Sequence, residues 1–178
     1  MPPSPAWVTL RTDMSCVRLL FTRNRLPGSW AIRLATWSCW SHVDLVDTGH
    51  DEPRLVGAVA PSGVVTMPMA ERLKRSTHAA LVEVPHPEPH KVLQAAYSQI
   101  GKGYDWAGIA GIALRQRDWE SGDRWFCSEL VAWAFNASGK RLFRCELVGR
   151  VTPQHLWMLA NPYLTSSRPL DLMRALSL

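Results

Sequence analysis

No apolar run in these 178 residues approaches the roughly 20 that a membrane-spanning helix requires. Even the stretch Gly108 to Leu114 is followed at once by Arg115, Arg117 and Asp118, so no transmembrane segment is expected. The N-terminal MPPSPAWVTLRTD lacks both the basic n-region and the apolar h-region of a secretory signal. The expected location is therefore the cytoplasm, or outside it by way of a separate export system. Cysteine is scarce: Cys16, Cys39, Cys127 and Cys145 are widely spaced and include no CxxC pair, which argues against structural zinc or a redox motif. They read as free thiols in a reducing compartment. Repeats and low-complexity tracts are absent, and 47% hydrophobic with 20% charged residues excludes a disordered or collagen-like chain.

Charge of one sign is not concentrated either. The net charge is +5, with 20 Lys and Arg against 15 Asp and Glu, and the basic residues are scattered. The densest group, Arg72, Lys74 and Arg75 in ERLKR, reads as a solvated helix end, so nucleic acid is not an expected partner. In PHPEPH, His86, Glu88 and His90 are separated by prolines with no third ligand nearby. A solvated loop is favoured there, and no metal or other cofactor is expected. Tryptophan, by contrast, is abundant: nine copies, enough to line a groove as well as a core.

The length suits one domain, residues 1–178, with 1–14 as an extended arm. Cys16 to Thr22 is apolar enough for a buried strand. Asn24 to Gly28 turns the chain, and Ser29 is the expected N-cap of a helix through Trp37 with Trp30, Ile32, Leu34 and Trp37 on an apolar side. Ser41 to Asp47 alternates with period two, placing Val43 and Leu45 on one face and His42, Asp44 and Val46 on the other. Arg54 to Ala60 and Val64 to Met67 suggest a hairpin turned at Pro61, Ser62 and Gly63. A short helix around Met69 to Lys74 and a third antiparallel strand, His78 to Val84, follow.

Further on, His90 to Ile100 has helical spacing in Val92, Ala95, Ala96 and Ile100. A small-residue helix is expected near Trp106 to Leu114, then a polar loop to Arg124. The helix from about Trp125 to Ala137 is the clearest, with Cys127, Leu130, Val131, Ala134 and Ala137 on one stripe. Thr152 and Pro153 open a last helical piece carrying Leu156 and Leu159. The class is α+β: a small antiparallel sheet of about five strands packed on the Cys127 helix.

A single cysteine on an apolar stripe is ordinarily a small core hydrophobe. Cys127, however, lies in the first turn of its helix, where unpaired N–H groups and the positive end of the dipole favour a thiolate and can hold an oxyanion. A cysteine nucleophile also needs a base, and His42 sits on the polar face of its strand. Cys16, Cys39 and Cys145 have no base in their local sequence and are expected to be buried thiols. His50 beside Asp51 and Glu52 belongs to a polar connection, and His155 with Trp157 to the packing of the last helix.

Ser41-His42-Val43-Asp44-Leu45-Val46 together with Trp125-Phe126-Cys127-Ser128-Glu129-Leu130-Val131 resembles the circularly permuted papain-like cysteine amidases and peptidases, NlpC-related and YiiX-like. In that permuted branch, as in the lecithin retinol acyltransferases, the histidine strand precedes the nucleophile helix. Val17 to Phe21 before the Ile32-Arg33 helix, Gly63-Val64 with Pro68, Gly103-Tyr104-Asp105 and Thr152-Pro153 extend the likeness over about Val17 to Leu159. The resemblance implies that Cys127 attacks an amide or ester carbonyl with His42 as base, through a thioester. It places Tyr104 near a substrate groove, while Asp105 caps the helix after it and Glu129 suits the dipole of its own helix. Many permuted relatives carry a Glu on the next strand to orient the histidine, where this chain has Gly57. Asp44 is one candidate for that third role, about 6.6 Å along the strand from His42; Glu83, His78, a backbone carbonyl or a water are others. The implied substrate is a peptidoglycan-type peptide. An acyltransferase or thioesterase acting on lipid, and a binding module that has lost catalysis, are the alternatives.

Overall fold

The computed structural model describes residues 15–105, 124–144, 148, 150–159 and 162–166. Their strands are β1 (Cys16–Arg23), β2 (His42–Asp47), β3 (Arg54–Val59), β4 (Gly63–Pro68), β5 (His78–Pro85), β6 (Gly103–Tyr104), β7 (Arg124–Trp125) and β8 (Pro162–Ser166). The helices are α1 (Pro27–Thr36), α2 (Met69–Lys74), α3 (Pro89–Tyr97), α4 (Cys127–Ala137) and α5 (Pro153–Trp157). The class is α+β, as expected, but the sheet has six strands in the order β4-β3-β2-β1-β5-β8, antiparallel throughout. The third antiparallel strand, β5, therefore lies not beside the hairpin but across β1, paired from Cys16↔Pro85 to Arg23↔His78. Among the described residues no helix is long and apolar enough to cross a membrane.

Both faces of the sheet are covered, which is why β1 is apolar with little alternation. Val17, Leu19, Phe21, Val43, Leu45 and Val56 pack with Val92 and Ala96 of α3 and Leu130, Val131 and Phe135 of α4. On the opposite face Leu20, Val46, Leu55, Ala79 and Leu81 pack under Met69 and Leu73 of α2. Val43 and Leu45 thus fall on one face and Val46 on the other, as the period of β2 requires.

Helix boundaries differ from expectation for local reasons. Pro27 starts α1 two residues before Ser29, because its fixed φ and missing N–H suit the first turn. Ser29 is not the cap; its hydroxyl donates to Ser41 Oγ at 2.8 Å. Of the large apolar residues of α1, Ile32 packs against the core, while Trp30 and Leu34 face solvent. Helix α3 stops at Tyr97 and leaves Ile100 exposed. In α4, which begins at Cys127 because Arg124–Trp125 is strand, Ala137 is exposed while Ala132 and Phe135 are buried. The helix is enclosed on more than a stripe. Leu156 of α5 is buried and Leu159 is exposed. The expected helix at Trp106 to Leu114, most of the following loop, and the arm 1–14 lie outside the described residues.

One glycine fixes how the middle of the chain meets the sheet. Gly63 has φ +79°, and a Cβ there would stand 2.0 Å from the Lys102 carbonyl oxygen. That close approach lets the Val64 N–H donate to the same oxygen at 2.9 Å, with the Gly101 N–H donating to the Val64 carbonyl at 3.0 Å. The segment leading to Tyr104 is thereby stitched to the hairpin. Tyr104 then pairs in parallel with Trp125, two residues before Cys127.

Candidate active site

His42 opens β2 and Asp44 follows it on the same face. The imidazole and carboxylate lean together across the strand rise, so that His42 Nε2 and Asp44 Oδ1 are 2.8 Å apart. Of the other candidates for this contact, Glu83 is engaged by Arg18 Nε at 3.0 Å and His78 by the Thr77 hydroxyl at 3.3 Å. Gly57 explains how Asp44 fits. A Cβ at Gly57 would stand 2.0 Å from Asp44 Oδ1 and 3.0 Å from its Cγ, so the residue without a side chain makes the space the carboxylate occupies. The missing Glu on β3 and the Asp on β2 are two sides of one arrangement.

The second carboxylate oxygen has a partner that the sequence did not suggest. Arg72 Nε of α2 donates to Asp44 Oδ2 at 3.1 Å. ERLKR is thus not simply a solvated helix end, because Arg72 turns inward on the face where Met69 and Leu73 are buried. A buried acid two residues from a histidine needs a compensating cation; that requirement was the available signal, but the sequence did not say which basic residue would meet it.

Electrostatics follow from this chain of contacts. Burial, the largest single influence on Asp44, favours the neutral acid; the Arg72 guanidinium and then His42 outweigh it and hold the carboxyl below its ordinary range. Burial likewise disfavours the His42 imidazolium. The Asp44 carboxylate, with Cys127 acting in the same direction and Arg72 against it, more than compensates and pushes His42 up to about 9. The balance of these contacts favours the imidazolium over the neutral ring.

Cys127 is the first residue of α4 and is fully buried. It lies within electrostatic reach of both His42 and Tyr104. Its helix end is held by the Phe126 N–H donating to Glu129 Oε2 at 3.2 Å and by the Ser128 hydroxyl donating to the Val151 carbonyl at 2.5 Å. The first N–H groups of any helix lack intrahelical partners and point outward from the end. Tyr104 is buried edge-on against Phe126, with ring centroids 6.4 Å apart. Burial, with the charges of Cys127 and Asp105, raises its phenol, which stays protonated. The helix that Asp105 was expected to cap lies outside the described residues; the Asp105 N–H donates to the Trp125 carbonyl at 3.1 Å.

The remaining expectations fare unevenly. His86 is not in a solvated loop but is buried, with Nε2 2.9 Å from the Ser138 hydroxyl and Nδ1 accepting the Glu88 N–H. Both ring nitrogens are thus occupied by protein groups. Cys39 is exposed and Cys16 half-buried, so neither is the enclosed thiol expected; Cys145 lies outside the described residues. His50 faces Asp47 at 3.4 Å, and His155 closes on Thr152 at the start of α5.

No family model matches the chain, and no curated protein does. Among solved structures, the crystal structure of metalloprotein YiiX from Escherichia coli O157:H7, DUF1105, is similar with a TM-score of 0.66, covering 86% of this chain and 98% of that one at 20% identity. The chain shares the YiiX fold. That neighbour is described as a metalloprotein, but the described residues around Asp44 do not suit a cation. Among the described residues no cluster of three or more His, Cys, Asp or Glu could hold a metal ion. Asp44 has both carboxylate oxygens committed, one to a guanidinium whose charge would repel a metal.

Proposed function

We propose that this YiiX-like chain is a papain-like, circularly permuted cysteine hydrolase of amide or ester bonds. The observation that carries the reading is the Arg72–Asp44–His42 chain of contacts beside a cysteine at a helix N-terminus. In this mechanism Asp44 orients the imidazole and stabilises its charged form. The Cys127 thiolate attacks the carbonyl carbon and the carbonyl electrons move to oxygen, where N–H groups at the start of α4 receive them. Collapse of the tetrahedral species breaks the bond to the leaving group, which takes its proton from His42 and leaves a thioester on Cys127. His42 then removes a proton from water as it attacks the thioester, and Cys127 departs as thiolate.

Peptidoglycan-type peptides are the proposed substrates, on fold likeness alone. The reading as a module without catalysis drew on Gly57, and that ground is weakened by the Asp44 carboxylate filling the space. Intact-mass analysis after incubation with activated esters and with cell-wall peptides is the test. An acyl mass on Cys127 that disappears in Cys127→Ser and falls by at least about 100-fold in rate in His42→Ala is expected. Acylation at Cys39 alone, or turnover unchanged in Cys127→Ser, would defeat the proposal.

A further inference from the structure

Helix α1 packs Ile32 against the core but also carries large apolar side chains on its outer side. Its small polar residues Ser29 and Thr36 are buried, while Leu26, Trp30, Leu34 and Trp37 are 64%, 58%, 56% and 89% exposed. Trp30 and Leu34, four apart, share one face of α1, and Leu26 and Trp37 flank them as the residues that cap its start and end. Two indoles and two leucines exposed on one short segment are costly to leave in water and point to a contact surface.

The surroundings of the segment say what it contacts. Trp30 also lines a cleft of about 500 Å³ together with Arg23, Arg25, Arg33 and His78. Among the described residues no Asp or Glu lines it, and none of the three arginines has an ion-pair partner. Arg33 Nε is buried without a hydrogen-bond partner among those residues. The three cations converge on His78, which burial and then Arg23, Arg25 and Arg33 hold below its ordinary value. A second copy of this face would set arginine against arginine, and an apolar protein partner would leave the guanidinium groups unmatched. Arginine beside an indole-bearing apolar segment suits a bilayer interface, with phosphate groups at the cations and rings at the headgroup boundary.

We propose that α1 and the cleft beside it form a docking surface for membranes containing anionic phospholipid, the lipid phosphate seated between Arg23, Arg25 and Arg33 and the exposed apolar side chains of Leu26–Trp37 inserted alongside. Docking would bring the His42 end of the sheet to the membrane, since Thr22 pairs with His42 and Arg23 is the next residue. Ser29 of α1 is also bonded to Ser41, directly before His42. The proposal concerns association and stands or falls independently of the hydrolase reading.

Flotation of the full chain with vesicles tests it, comparing pure phosphatidylcholine with a mixture holding about a third phosphatidylglycerol, in the presence and absence of inorganic phosphate. Binding to the mixed vesicles alone is expected, weakened about fivefold by each of Arg25→Glu and Arg33→Glu. Trp30→Ser with Leu34→Ser should abolish the binding that persists at raised salt. Arg25, Trp30 and Leu34 are exposed and Arg33 is half-buried, and unchanged circular dichroism would confirm that the variants fold. No binding, equal binding to both vesicles, or binding indifferent to these substitutions would overturn the proposal. So would full displacement by millimolar phosphate, which would make the cleft a site for a soluble anion.

Discussion

A buried carboxylate between a guanidinium and an imidazole makes Gly57, Asp44, His42 and Arg72 interdependent. Gly57→Ala places a methyl group where Asp44 Oδ1 stands, so the carboxylate must leave. On the proposed mechanism the expected result is a loss of Cys127 acylation rate of about 100-fold or more, comparable with Asp44→Asn, because either change takes the carboxylate away from the His42 ring. Combining the two in a double mutant should cost little more than either alone; additive losses would show that Gly57 acts on something else. Arg72→Ala leaves the Asp44 charge buried with only His42 to compensate it, and should cost about 3–5 kcal/mol in chemical denaturation, with Arg72→Lys recovering part. His42 and Cys127 were candidates from their places on a strand's polar face and in a helix's first turn, and Asp44 was one of several candidates for a third role that the family resemblance implied; its contact with His42 is what the structure adds. Arg72 was no candidate, since a basic residue on a short helix shows its inward rotamer only once the sheet beneath it is built.

At the scale of elements, the Gly63 contact determines where Tyr104 and β7 approach α4. Gly63→Ala adds a Cβ at a left-handed φ and drives it against the Lys102 carbonyl. A destabilisation of at least about 2 kcal/mol is expected, from the strained conformation and the lost Val64 hydrogen bond. Thermal or urea unfolding would read it; a neutral result would mean that the segment before Tyr104 is not fixed by this turn. Strands β1 to β5 were legible from apolar runs between turn residues, and the hairpin from Pro61, Ser62 and Gly63. The exposure of Trp30 and Leu34 on α1 was hidden, because periodicity shows that apolar residues share a side without showing whether that side meets protein. Helix α4 was legible as a helix, but its near-complete enclosure depends on both its own sheet face and the Val151 segment.

For the whole molecule, the pH dependence of stability follows from the same buried pair. His42 is raised from an ordinary 6.5 to about 9, so its contribution is fully present below about 6.5 and is lost as pH rises through about 9. Asp44 is lowered from 3.8; its contribution is present above that value and is lost as pH falls through the folded-state value, below 3.8. The melting temperature of the wild-type chain should therefore decline between pH 6.5 and 9 by more than that of His42→Asn. Parallel profiles would show that His42 is not held as a cation in the fold. The sheet order was the least legible feature at this scale. Placing β5 against β1 joins strands separated by the entire hairpin and α2, and that pairing is settled by which faces α2 and α4 cover, not by any local signal.

Direct titration of the His42 ring by NMR, with its resonances assigned through His42→Asn, tests the central claim that Asp44 holds a charged imidazole beside Cys127. The account expects His42 to titrate at about 9 and to fall markedly in Asp44→Asn, where burial is no longer opposed by the carboxylate. A wild-type His42 titrating at an ordinary 6.5 and unmoved by Asp44→Asn would contradict it.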